Sequence, residues 1–584
     1  MMRPDSIRPN KWQVAPPVPL NIQKQFSHVN PVVLQVLYNR GIIDPAHMQA
    51  FLEKRYLEST DPFLLPDMDK AVARITHAIQ HQENIVVYGD FDADGVTSTV
   101  LLTQALRGLG MDVKQVRPYI PDRVDEGYGL NMEALTKIKE DFEADLVISV
   151  DCGIRSVAEV VHANTIGLDM IITDHHSLGP EMPPATAVIN PKRPDSTYPE
   201  TMLAGVGIAY KLAQALYQKL PERVGLELSD LLDLVAIGTV ADLAPLLGEN
   251  RILVSQGLDV LNSARRPGVM ALAQAARLQP GQMSAESIAF GLGPRINAAG
   301  RLAHAYDAAR LLAANNMIQA EKFAANLDQL NRERQRITAD LTAKAEAMVV
   351  TADAILIVAD TNFVSGVVGL VASRLADVYY RPAIVIEQGE TESRGSCRSI
   401  PEFHITEALD EVAGLLVRHG GHAQAAGFTV TNEDLPAFIE QMKALAETKL
   451  SGLELHPTIT VDAEIGLTDV DWALYESLAP LEPTGYANPM PVFMSRGVEV
   501  RSHRLVGQDG THLQMYLSGG RQRDDRYQEI AAIAFRQGAW VNHLPQFIDI
   551  VYTVNVNEWN GRRSLQLMIQ DIRATEVETA VMPS

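Results

Sequence analysis

Short runs of apolar residues alternate with helical stretches between residues 85 and 190. Apolar runs separated by segments long enough for crossover helices are typical of parallel strands in a sheet covered on both faces. In such sheets ligands bind at the carboxyl ends of the strands, and three of these runs end in acids or histidines. An α/β domain with a parallel sheet is therefore predicted from the segments IVVYGD (85–90), DVKQVRPYI (112–120), LVISVD (146–151), MIITDHH (170–176) and TAVIN (186–190).

The pattern changes twice in the rest of the chain. From Tyr306 to about Val350 glycine and proline disappear and helix-forming residues recur at helical spacing, which predicts one connecting helix of up to ~60 Å. A smaller α/β unit follows, with a helix expected at 405–418, and then several short strands that indicate a closed barrel, such as an OB-fold. We expect this order: an N-terminal segment packing on the catalytic domain (1–60), the parallel-sheet domain (61–305), the connecting helix (306–352), the smaller α/β domain (353–452), the barrel (453–574) and a tail (575–584).

Length and composition set the class of protein. The chain has 584 residues, several times one hydrophobic core, and its 46% hydrophobic and 21% charged residues exclude global disorder and a fibrous repeat. Residues 1–30 contain no apolar signal core, and no stretch approaches the ~18 apolar residues of a membrane span, so we expect a soluble, unsecreted protein. Two cysteines, Cys152 and Cys397, are too few for a disulfide framework, which favours the cytoplasm.

The charge balance is acidic. With 50 basic and 72 acidic residues the net charge is −22, which argues against coating nucleic acid through bulk charge but leaves room for a local basic groove. Some of the acidic residues are candidates for a metal site, because hard divalent cations take oxygen ligands.

Three aspartates end the first predicted strand. Asp90, Asp92 and Asp94 lie in GDFDADGVTST, directly ahead of a helix whose N-terminus could receive a phosphate. A solvated acidic turn is the alternative interpretation. It is weakened because the turn ends a buried strand, where carboxylates repel one another and a cation relieves the repulsion.

Further acids and histidines come from distant segments. Asp151 ends one strand, His175 and His176 follow Asp174 at the end of another, and Asp242 lies in an apolar helix where an uncompensated carboxylate is costly. A lone histidine is more often structural, but adjacent histidines on an extended chain face opposite ways, so one can bind metal while the other meets substrate. Mixed carboxylate and imidazole ligands suit Mn²⁺, with Mg²⁺ as the alternative, and two ions ~4 Å apart could serve phosphodiester hydrolysis.

The motifs stand in the order of a known superfamily. GDFDADG, LVISVDCGI, TDHH and GTVAD resemble the DHH phosphoesterase superfamily, and PDRVDEGYGLN, LAGVGIAYKL and FGLGPRINAAGRL resemble its RecJ branch of single-strand-specific exonucleases. SRGSCRS and RHGGHAQAAGF are similar to the DHHA1 domain, and LEPTGYANPMPVF is similar to the segment entering the RecJ OB domain. The resemblance covers nearly everything from residue 70 onward.

This resemblance implies roles for individual residues. Five fall on metal-ligand positions: Asp92, Asp94, Asp151, His175 and Asp242. Three more are expected to be catalytic close to the metals: Asp90, Asp174 and His176.

Phosphate binding is expected elsewhere in the chain. In SRGSCRS a glycine and hydroxyls surround Arg394 and Arg398, a combination that can grip phosphates. Gly420 and Gly421 allow close approach of the backbone beside His422, although a glycine-rich helix C-terminus with His422 as a cap is the alternative. The expected substrate-binding residues are Arg295, Arg301, Arg374, Arg394, Ser396, Arg398, Gly420, Gly421 and His422.

The barrel segment mixes basic and aromatic residues. This composition suits a groove that tracks a single strand by charge and base stacking, and ordinary strand alternation with exposed arginines explains it equally well. The residues are Arg501, His503, Arg504, Arg521, Arg523, Arg562, Arg563, Tyr516, Tyr527, Phe535 and Trp559.

Some positions depart from the pattern of the resembled branch. Phe363 and Val364 stand where a Trp-His pair is usual, and Cys397 stands where a small residue is usual. Thr484 and Ala487 replace Phe and Gly in the PFGxGNP pattern. The departures leave the expected metal ligands whole.

The leading functional hypothesis is a metal-dependent exonuclease for single-stranded DNA, using two Mn²⁺ or Mg²⁺ ions. By resemblance it digests 5′ to 3′, releases mononucleotides, and works in DNA repair and recombination, with single-strand-binding protein and a helicase as candidate partners of a monomer. One alternative is a phosphodiesterase of short oligonucleotides or cyclic dinucleotides, whose relatives generally lack the barrel. Another is an inactive DNA-binding scaffold, which loss of metal ligands would mark.

Overall fold

The computed structural model of the protein describes residues 10–122, 126, 127, 129–507, 509–521, 527–559 and 561–575. Part of the PDRVDEGYGLN motif and Arg523 lie outside these residues. The described chain forms two compact units. The first unit contains residues 49–336 and 481–489, and the second contains the residues up to 48, 337–480 and the residues from 490 onward.

The strands and helices are numbered in chain order. The strands are β1 (Lys11–Val14), β2 (Ile85–Gly89), β3 (Val116–Tyr119), β4 (Leu146–Val150), β5 (Asp169–Thr173), β6 (Ala187–Ile189), β7 (Leu356–Asp360), β8 (Ala383–Gln388), β9 (Glu392–Arg398), β10 (Leu416–His422), β11 (Ala425–Thr431), β12 (Thr458–Val461), β13 (Ala463–Glu464), β14 (Phe493–Val506), β15 (His512–Arg521), β16 (Tyr527–Ala534), β17 (Phe547–Trp559) and β18 (Arg562–Ala574). The helices are α1 (Leu20–Gln25), α2 (Pro31–Asn39), α3 (Pro45–Leu52), α4 (Met68–His81), α5 (Ala93–Gly108), α6 (Met132–Phe142), α7 (Val157–Thr165), α8 (Gly205–Lys219), α9 (Leu232–Ala241), α10 (Gly248–Asn262), α11 (Pro267–Ala275), α12 (Ala285–Ser287), α13 (Gly293–Leu302), α14 (Tyr306–Leu312), α15 (Met317–Met348), α16 (Ser365–Tyr379), α17 (Ile405–Glu411), α18 (Leu435–Leu450) and α19 (Trp472–Leu478).

The first unit is built on a parallel sheet, as the sequence predicts. Its five strands lie in the order β3-β2-β4-β5-β6, and every pairing is parallel. Because β3 lies on one side of β2 and the later strands lie on the other, the order reverses between β2 and β4. This is the topological switch point at which such sheets form a ligand crevice at the carboxyl ends of their strands.

Strand alternation divides the core of the first unit between two faces of the sheet. Ile85 and Val87 of β2 pack in a cluster formed mainly with α4, α5, α8 and α9. Val86 and Tyr88 point the other way, into a cluster formed with α6 and α7. Because both faces are covered, β2 and β4 are buried at every position, which explains their continuous apolar runs.

The predicted connecting helix is interrupted. Residues Tyr306–Leu312 form the separate helix α14, and α15 begins only at Met317. The Asn316 side chain accepts a hydrogen bond from the Gln319 amide at 3.0 Å, so it caps the start of α15. With 32 residues α15 is ~48 Å long, shorter than the ~60 Å expected for an unbroken helix.

The second unit contains three further sheets, of which the smallest pairs β1 with β12. One has the order β10-β11-β9-β8-β7, and α17 ends at Glu411, so the helix expected at 405–418 is wrong in its second half. Leu416–His422 form β10 and pair with β11, so Gly420 and Gly421 lie on a strand and not at a helix C-terminus. The largest sheet runs β13-β14-β15-β16-β18-β17, and pairing of β14 with β17 closes its last five strands, which confirms the predicted barrel.

The N-terminal segment is divided between the two units. Residues 10–48 belong to the same unit as the barrel, and only the residues from 49 onward belong to the first unit. β1 adds in parallel to the edge of β12, and the Trp12 Nε1–H donates to Asp571 at 2.9 Å. The unpaired edge of β12 supplies backbone partners that the sequence does not reveal.

No helix within the described ranges is both long and apolar enough to cross a membrane.

Candidate metal centre

The first group of candidate ligands lies where β2 meets α5. Asp90 is buried directly after the strand, and the Asp92 side chain caps α5 by accepting a hydrogen bond from the Gly95 amide at 3.0 Å. A side chain at position 95 would lie 2.6 Å from the Asp90 nitrogen, so only glycine allows this tight turn. The turn therefore fixes several carboxylates at the switch point of the sheet.

Asp94 is oriented by the start of another helix. Its two carboxylate oxygens accept hydrogen bonds from the amides of Gly205 and Val206, at 2.7 and 2.8 Å, at the N-terminus of α8. Burial, followed by repulsion from Asp92, raises the pKa of Asp94 to about 7. The sequence placed Asp94 at the site but gave no indication of these two amides.

Asp151 follows β4 at the same edge of the sheet. It has a left-handed backbone with φ 60°, and its side chain is 2% exposed. Its Oδ1 lies 3.0 Å from His175 Nε2, and within the described residues this buried oxygen accepts no hydrogen bond. Burial, followed by repulsion from Asp94, raises the pKa of Asp151 well above its ordinary value. A buried oxygen of this kind is suited to a cation.

His175 joins the carboxylates of separate elements. Its Nε2 lies 3.9 Å from Asp94 Oδ2 and 3.8 Å from Oδ2 of Asp242, which caps the C-terminus of α9. Burial, followed by repulsion from Asp94 and Asp92, raises the pKa of Asp242 to about 9. The shift has the direction expected of carboxylates that are gathered without a compensating positive charge.

The ligand atoms form three groups, within each of which all atoms lie within 4.8 Å of one another. The groups share Asp151 and His175, so they form one continuous cluster. They are Asp90/Asp92/Asp151, Asp94/His175/Asp242 and Asp151/His175/His176. The structure thus brings together all five expected metal ligands. Carboxylate oxygens with one or two imidazoles suit Mn²⁺ or Mg²⁺ better than a metal that prefers thiolate ligands. The residues present therefore fit Mn²⁺ or Mg²⁺.

Asp174 lies behind the cluster and holds His176. Its buried carboxylate accepts hydrogen bonds from the amides of Ile154 and His176, each at 2.9 Å, and lies 2.7 Å from His176 Nδ1. Burial alone would raise the pKa of Asp174, but its hydrogen bonds lower it below the ordinary value. Burial alone would lower the pKa of His176, but the hydrogen bond to Asp174 raises this pKa above its ordinary value. Asp174 is thus placed to orient the imidazole, which is one-third exposed.

Three nearby residues were not anticipated. Asn190 directly follows β6, donates to the His176 carbonyl at 3.0 Å and accepts from the Lys192 amide at 2.8 Å. Burial lowers the pKa of Lys192, while the charges of Asp174 and Asp242 act in the opposite sense. Asn297 of α13 accepts from the Ala93 amide at 2.8 Å and so supports the start of α5. The sequence carries a signal for each of them, because Asn190 and Lys192 follow an apolar strand and Asn297 lies in the FGLGPRINAAGRL motif.

The arginines expected to bind substrate in the first unit have different surroundings. Arg295 forms an ion pair with Asp328 at 2.9 Å and donates to the Gly291 carbonyl at 2.8 Å. Its guanidinium therefore joins α13 to α15. Arg301 is half-buried in the last turn of α13.

In the second unit the expected phosphate-binding residues lie on one sheet and on helix α16. Strand alternation puts Arg394, Ser396 and Arg398 on the same face of β9, where a side chain at Gly369 of α16 would lie 3.0 Å from Ser396 Oγ. Arg398 donates to the Cys397 carbonyl at 2.7 Å, and burial lowers the pKa of Arg398. The remaining expected residues are half-buried Arg374 on α16, and Gly420, Gly421 and exposed His422 on β10.

The structure describes the surroundings of the five residues that depart from the resembled pattern, of which Thr484 is half-buried. Phe363 is 1% exposed and packs in the core beneath α16, and Val364 is the cap residue of that helix. Cys397 is fully buried. Ala487 has φ 61°, a left-handed conformation that favours glycine, so alanine is strained there.

The barrel residues are partly described. Tyr516 and Phe535 are exposed, Arg504 donates to Gln514 at 2.7 Å, and the Arg563 guanidinium lies 5.4 Å from the centre of the Trp472 ring. Arg523 and the side chains at positions 521, 527 and 559 lie outside the described part of the structure.

Comparison with known families defines the class of protein. The model for the DHH family, N-terminal domain, matches residues 84–239, the DHHA1 domain matches 351–448, and the RecJ OB domain matches 461–571. The chain thus combines a DHH domain with DHHA1 and OB domains, as the sequence motifs indicate.

Individual relatives identify the family within that class. The single-stranded-DNA-specific exonuclease RecJ of Bacillus subtilis (strain 168) is 38% identical over 575 residues, which cover 97% of this chain and 71% of the relative. The crystal structure of RecJ from Thermus thermophilus in complex with Mn²⁺ matches with a TM-score of 0.81 and 30% identity, over 97% of this chain and 80% of that one. Its Mg²⁺ complex matches with a TM-score of 0.76 and 28% identity, over 97% and 79%. This chain belongs to the RecJ family, and the resemblance read from the sequence is confirmed.

Proposed function

We propose that this protein is a metal-dependent exonuclease that degrades single-stranded DNA. The observation that most supports this function is the cluster at the switch point of the first sheet. It is formed by side chains from separate elements: Asp94, Asp151, His175 and Asp242. Its RecJ relatives are single-stranded-DNA-specific exonucleases, and one of them binds Mn²⁺ and Mg²⁺ in crystals.

The cofactor in this proposal is Mn²⁺ or Mg²⁺, with two ions held by Asp92, Asp94, Asp151, His175 and Asp242, and with Asp90 adjacent. Bound divalent ions supply charge neutralisation at the phosphate and activation of water for phosphodiester hydrolysis. The chain's own contribution is preorganisation, because the amides of Gly205 and Val206 and the cap formed by Asp92 fix the carboxylates before substrate arrives.

His176 is the proposed catalytic residue of the chain. Its Nδ1 faces Asp174, and the proposal assigns the contact with a phosphate oxygen, or the transfer of a proton, to Nε2 at the other side of the ring. Asp174 is a positioning residue in this scheme, since it contacts the imidazole and the backbone beside it. We keep Asp90 as a catalytic candidate at the start of the turn.

Residues of both units are proposed to hold the DNA. In the second unit these are Arg374, Arg394, Ser396 and Arg398, with Gly420, Gly421 and His422 on the same sheet. In the first unit they are Arg295 and Arg301, and Arg295 acts from within its ion pair with Asp328. Arginine forks and glycine backbone suit phosphate recognition. The barrel adds basic and aromatic residues for the rest of the strand.

Neither alternative function is favoured by an observation. The closed barrel is present, which disfavours a phosphodiesterase limited to short oligonucleotides or cyclic dinucleotides. The candidate ligands are retained and brought together, which disfavours an inactive scaffold.

The wider role belongs to the same proposal. We propose 5′ to 3′ digestion to mononucleotides, in DNA repair and recombination, by a monomer that works with single-strand-binding protein and a helicase. A cytoplasmic location is proposed because both cysteines are buried, unpaired thiols, as suits a reducing compartment.

End-labelled DNA provides the test. Single strands labelled at the 5′ or the 3′ end, and the matching duplex, are incubated with the protein and Mn²⁺, and the products are sized over time. We expect immediate release of mononucleotide from the 5′ label, late loss of the 3′ label, and a nearly inert duplex. EDTA should stop the reaction. Equal cleavage of duplex and single strand, or no cleavage of either, would contradict the proposal.

A further inference from the structure

The residue after Asp242 has an unusual backbone. Helix α9 ends in a Schellman motif, in which the Leu243 amide donates to the Val240 carbonyl at 3.3 Å and the Ala244 amide donates to Thr239 at 3.2 Å. Leu243 takes the left-handed position of this motif, with φ 60°. Glycine is the usual residue there because a side chain in this conformation is strained. Leucine is thus unfavourable for the backbone.

Packing does not explain the leucine either. The Leu243 side chain is 64% exposed, so it adds little to the core, whereas neighbouring Leu246 is 1% exposed. Strained residues at such positions often mark contacts made with a ligand. Other helices of this chain also end in a left-handed residue, but Leu243 combines this conformation with an exposed apolar side chain directly after a candidate metal ligand, a position suited to contact with a substrate.

A second exposed apolar residue is fixed to the same loop. The Leu246 amide donates to the Tyr486 carbonyl at 2.9 Å, and Tyr486 is 62% exposed. The turn that carries Tyr486 is rigid, because buried Asn488 donates to the carbonyls of Leu481 and Pro483 at 2.9 and 2.8 Å. Tyr486 is therefore presented on a preorganised support.

We propose that Leu243, Leu247 and Tyr486 form an apolar ledge that contacts the bases of single-stranded DNA next to the scissile phosphate. Leu247, at the start of α10, is 36% exposed and completes the surface. This inference rests on the function proposed above and adds to it the residues that would favour a single strand over a duplex.

The chemistry of the ledge selects its occupant. Leu243 directly follows the candidate ligand Asp242, so a strand whose phosphate lies at the cluster has its adjoining base and sugar within reach of this loop. Every unpaired base has a π-face that stacks on an aromatic ring such as Tyr486, without sequence preference. Bases in a duplex are already stacked and paired, so the ledge favours a single strand over a duplex.

The test uses full-length protein, Mn²⁺ and two fluorescent single strands with nonhydrolysable linkages. One strand carries all its bases, and the other is abasic next to the 5′ end. Binding and melting temperature are measured for the wild type, Leu243→Gly, Tyr486→Ala and Tyr486→Phe. Val113→Ala is the matched control, because Val113 is 63% exposed in the segment before β3, at the opposite edge of the sheet.

We expect Tyr486→Ala to bind the complete strand about tenfold more weakly, since base stacking on an aromatic side chain has this magnitude. Tyr486→Phe, which keeps the ring, should bind like the wild type. Leu243→Gly should also bind more weakly, while its melting temperature is not lowered because glycine relieves the left-handed strain. These variants should bind the abasic strand as the wild type does, and Val113→Ala should bind both strands unchanged.

Two outcomes overturn the ledge. In one, Tyr486→Ala and Leu243→Gly bind the complete strand as tightly as the wild type. In the other, their affinity for the abasic strand falls by the same factor as their affinity for the complete strand, so the contact is not with bases. A wild type that neither binds nor cleaves single strands would instead refute the proposed function, so the two failures are distinguishable.

Discussion

Replacing Asp151 by asparagine should change the stability of the protein in opposite directions with and without metal. Asparagine keeps the shape of the side chain and removes its charge. Oxygens of Asp90, Asp92 and Asp151 lie within 4.8 Å of one another. At that separation two full charges repel by about 3.5 kcal/mol at an effective dielectric constant of ~20. The metal-free fold therefore carries a substantial electrostatic cost at Asp151.

Part of this cost is already relieved, because burial and repulsion raise the pKa of Asp151 and the carboxyl takes up a proton more readily. We therefore expect Asp151→Asn to increase the free energy of unfolding of the metal-free protein by about 2 kcal/mol, or a few degrees in melting temperature.

With metal the order should reverse. A ligand at a hundred times its dissociation constant stabilises the native state by about 2.7 kcal/mol. Mn²⁺ should stabilise the wild-type protein by this amount. Asp151→Asn lacks a carboxylate that belongs to two of the three ligand groups, so Mn²⁺ should stabilise it little and it should not hydrolyse DNA.

Thermal unfolding followed by circular dichroism in EDTA and in Mn²⁺ measures both effects. Asp69→Asn is the matched control, since Asp69 is an exposed carboxylate in the first turn of α4. It should show the wild-type response to Mn²⁺. Two results would contradict the role of Asp151 as a repelled carboxylate that binds a cation. In one, metal-free Asp151→Asn is less stable than the metal-free wild type. In the other, Mn²⁺ raises the melting temperature of Asp151→Asn as much as that of the wild type.

Four further outcomes are expected. Gly205→Ala should abolish stabilisation by Mn²⁺, because the new methyl would lie 2.7 Å from Asp151 Oδ1; an unchanged Mn²⁺ titration would contradict this. His176→Ala should lower kcat by roughly 10²–10⁴ while the Mn²⁺-induced rise in melting temperature persists, as for loss of a proton-transferring group; equal loss of both would make His176 a ligand. Lys192→Gln should weaken binding of a nonhydrolysable strand several-fold, and Lys192→Arg should restore it, as anisotropy titrations can measure. Arg504→Gln should lower the slope of log affinity against log salt by about 0.7, the value for one lost phosphate contact on a single strand, and an identical slope would remove Arg504 from the barrel's DNA surface.

Local sequence determined the elements that depend on neighbouring residues. The continuous apolar runs specified the buried parallel strands because both faces of the sheet are covered, and the succession of short strands in the last part of the chain predicted the barrel. The candidate ligands were also predictable, since parallel strands bring their carboxyl ends to one edge and thereby gather Asp92, Asp151 and His175.

Local sequence was insufficient where a partner lies far along the chain. Helix character at 405–418 gave way to β10, because β11 offered Leu416–His422 a ladder of backbone hydrogen bonds. Residues 10–48 belong to the unit that contains the barrel, and Lys11–Val14 pair with β12, 447 residues further along the chain. Pairing at a strand edge uses backbone groups, which nearly every residue has, so the pattern of side chains does not predict it.

Tertiary structure alone decided how the site is organised. The sequence contains Asp94 and Gly205, but only the packing of α8 beside α5 aims two amides at that carboxylate. In the same way Asp174 proved to hold His176, and Tyr486 came to lie beside the loop that follows Asp242. Residue type fixes which chemistry is possible, whereas distance and direction between groups remote in sequence arise only when the chain packs, because they depend on the positions of several elements at once.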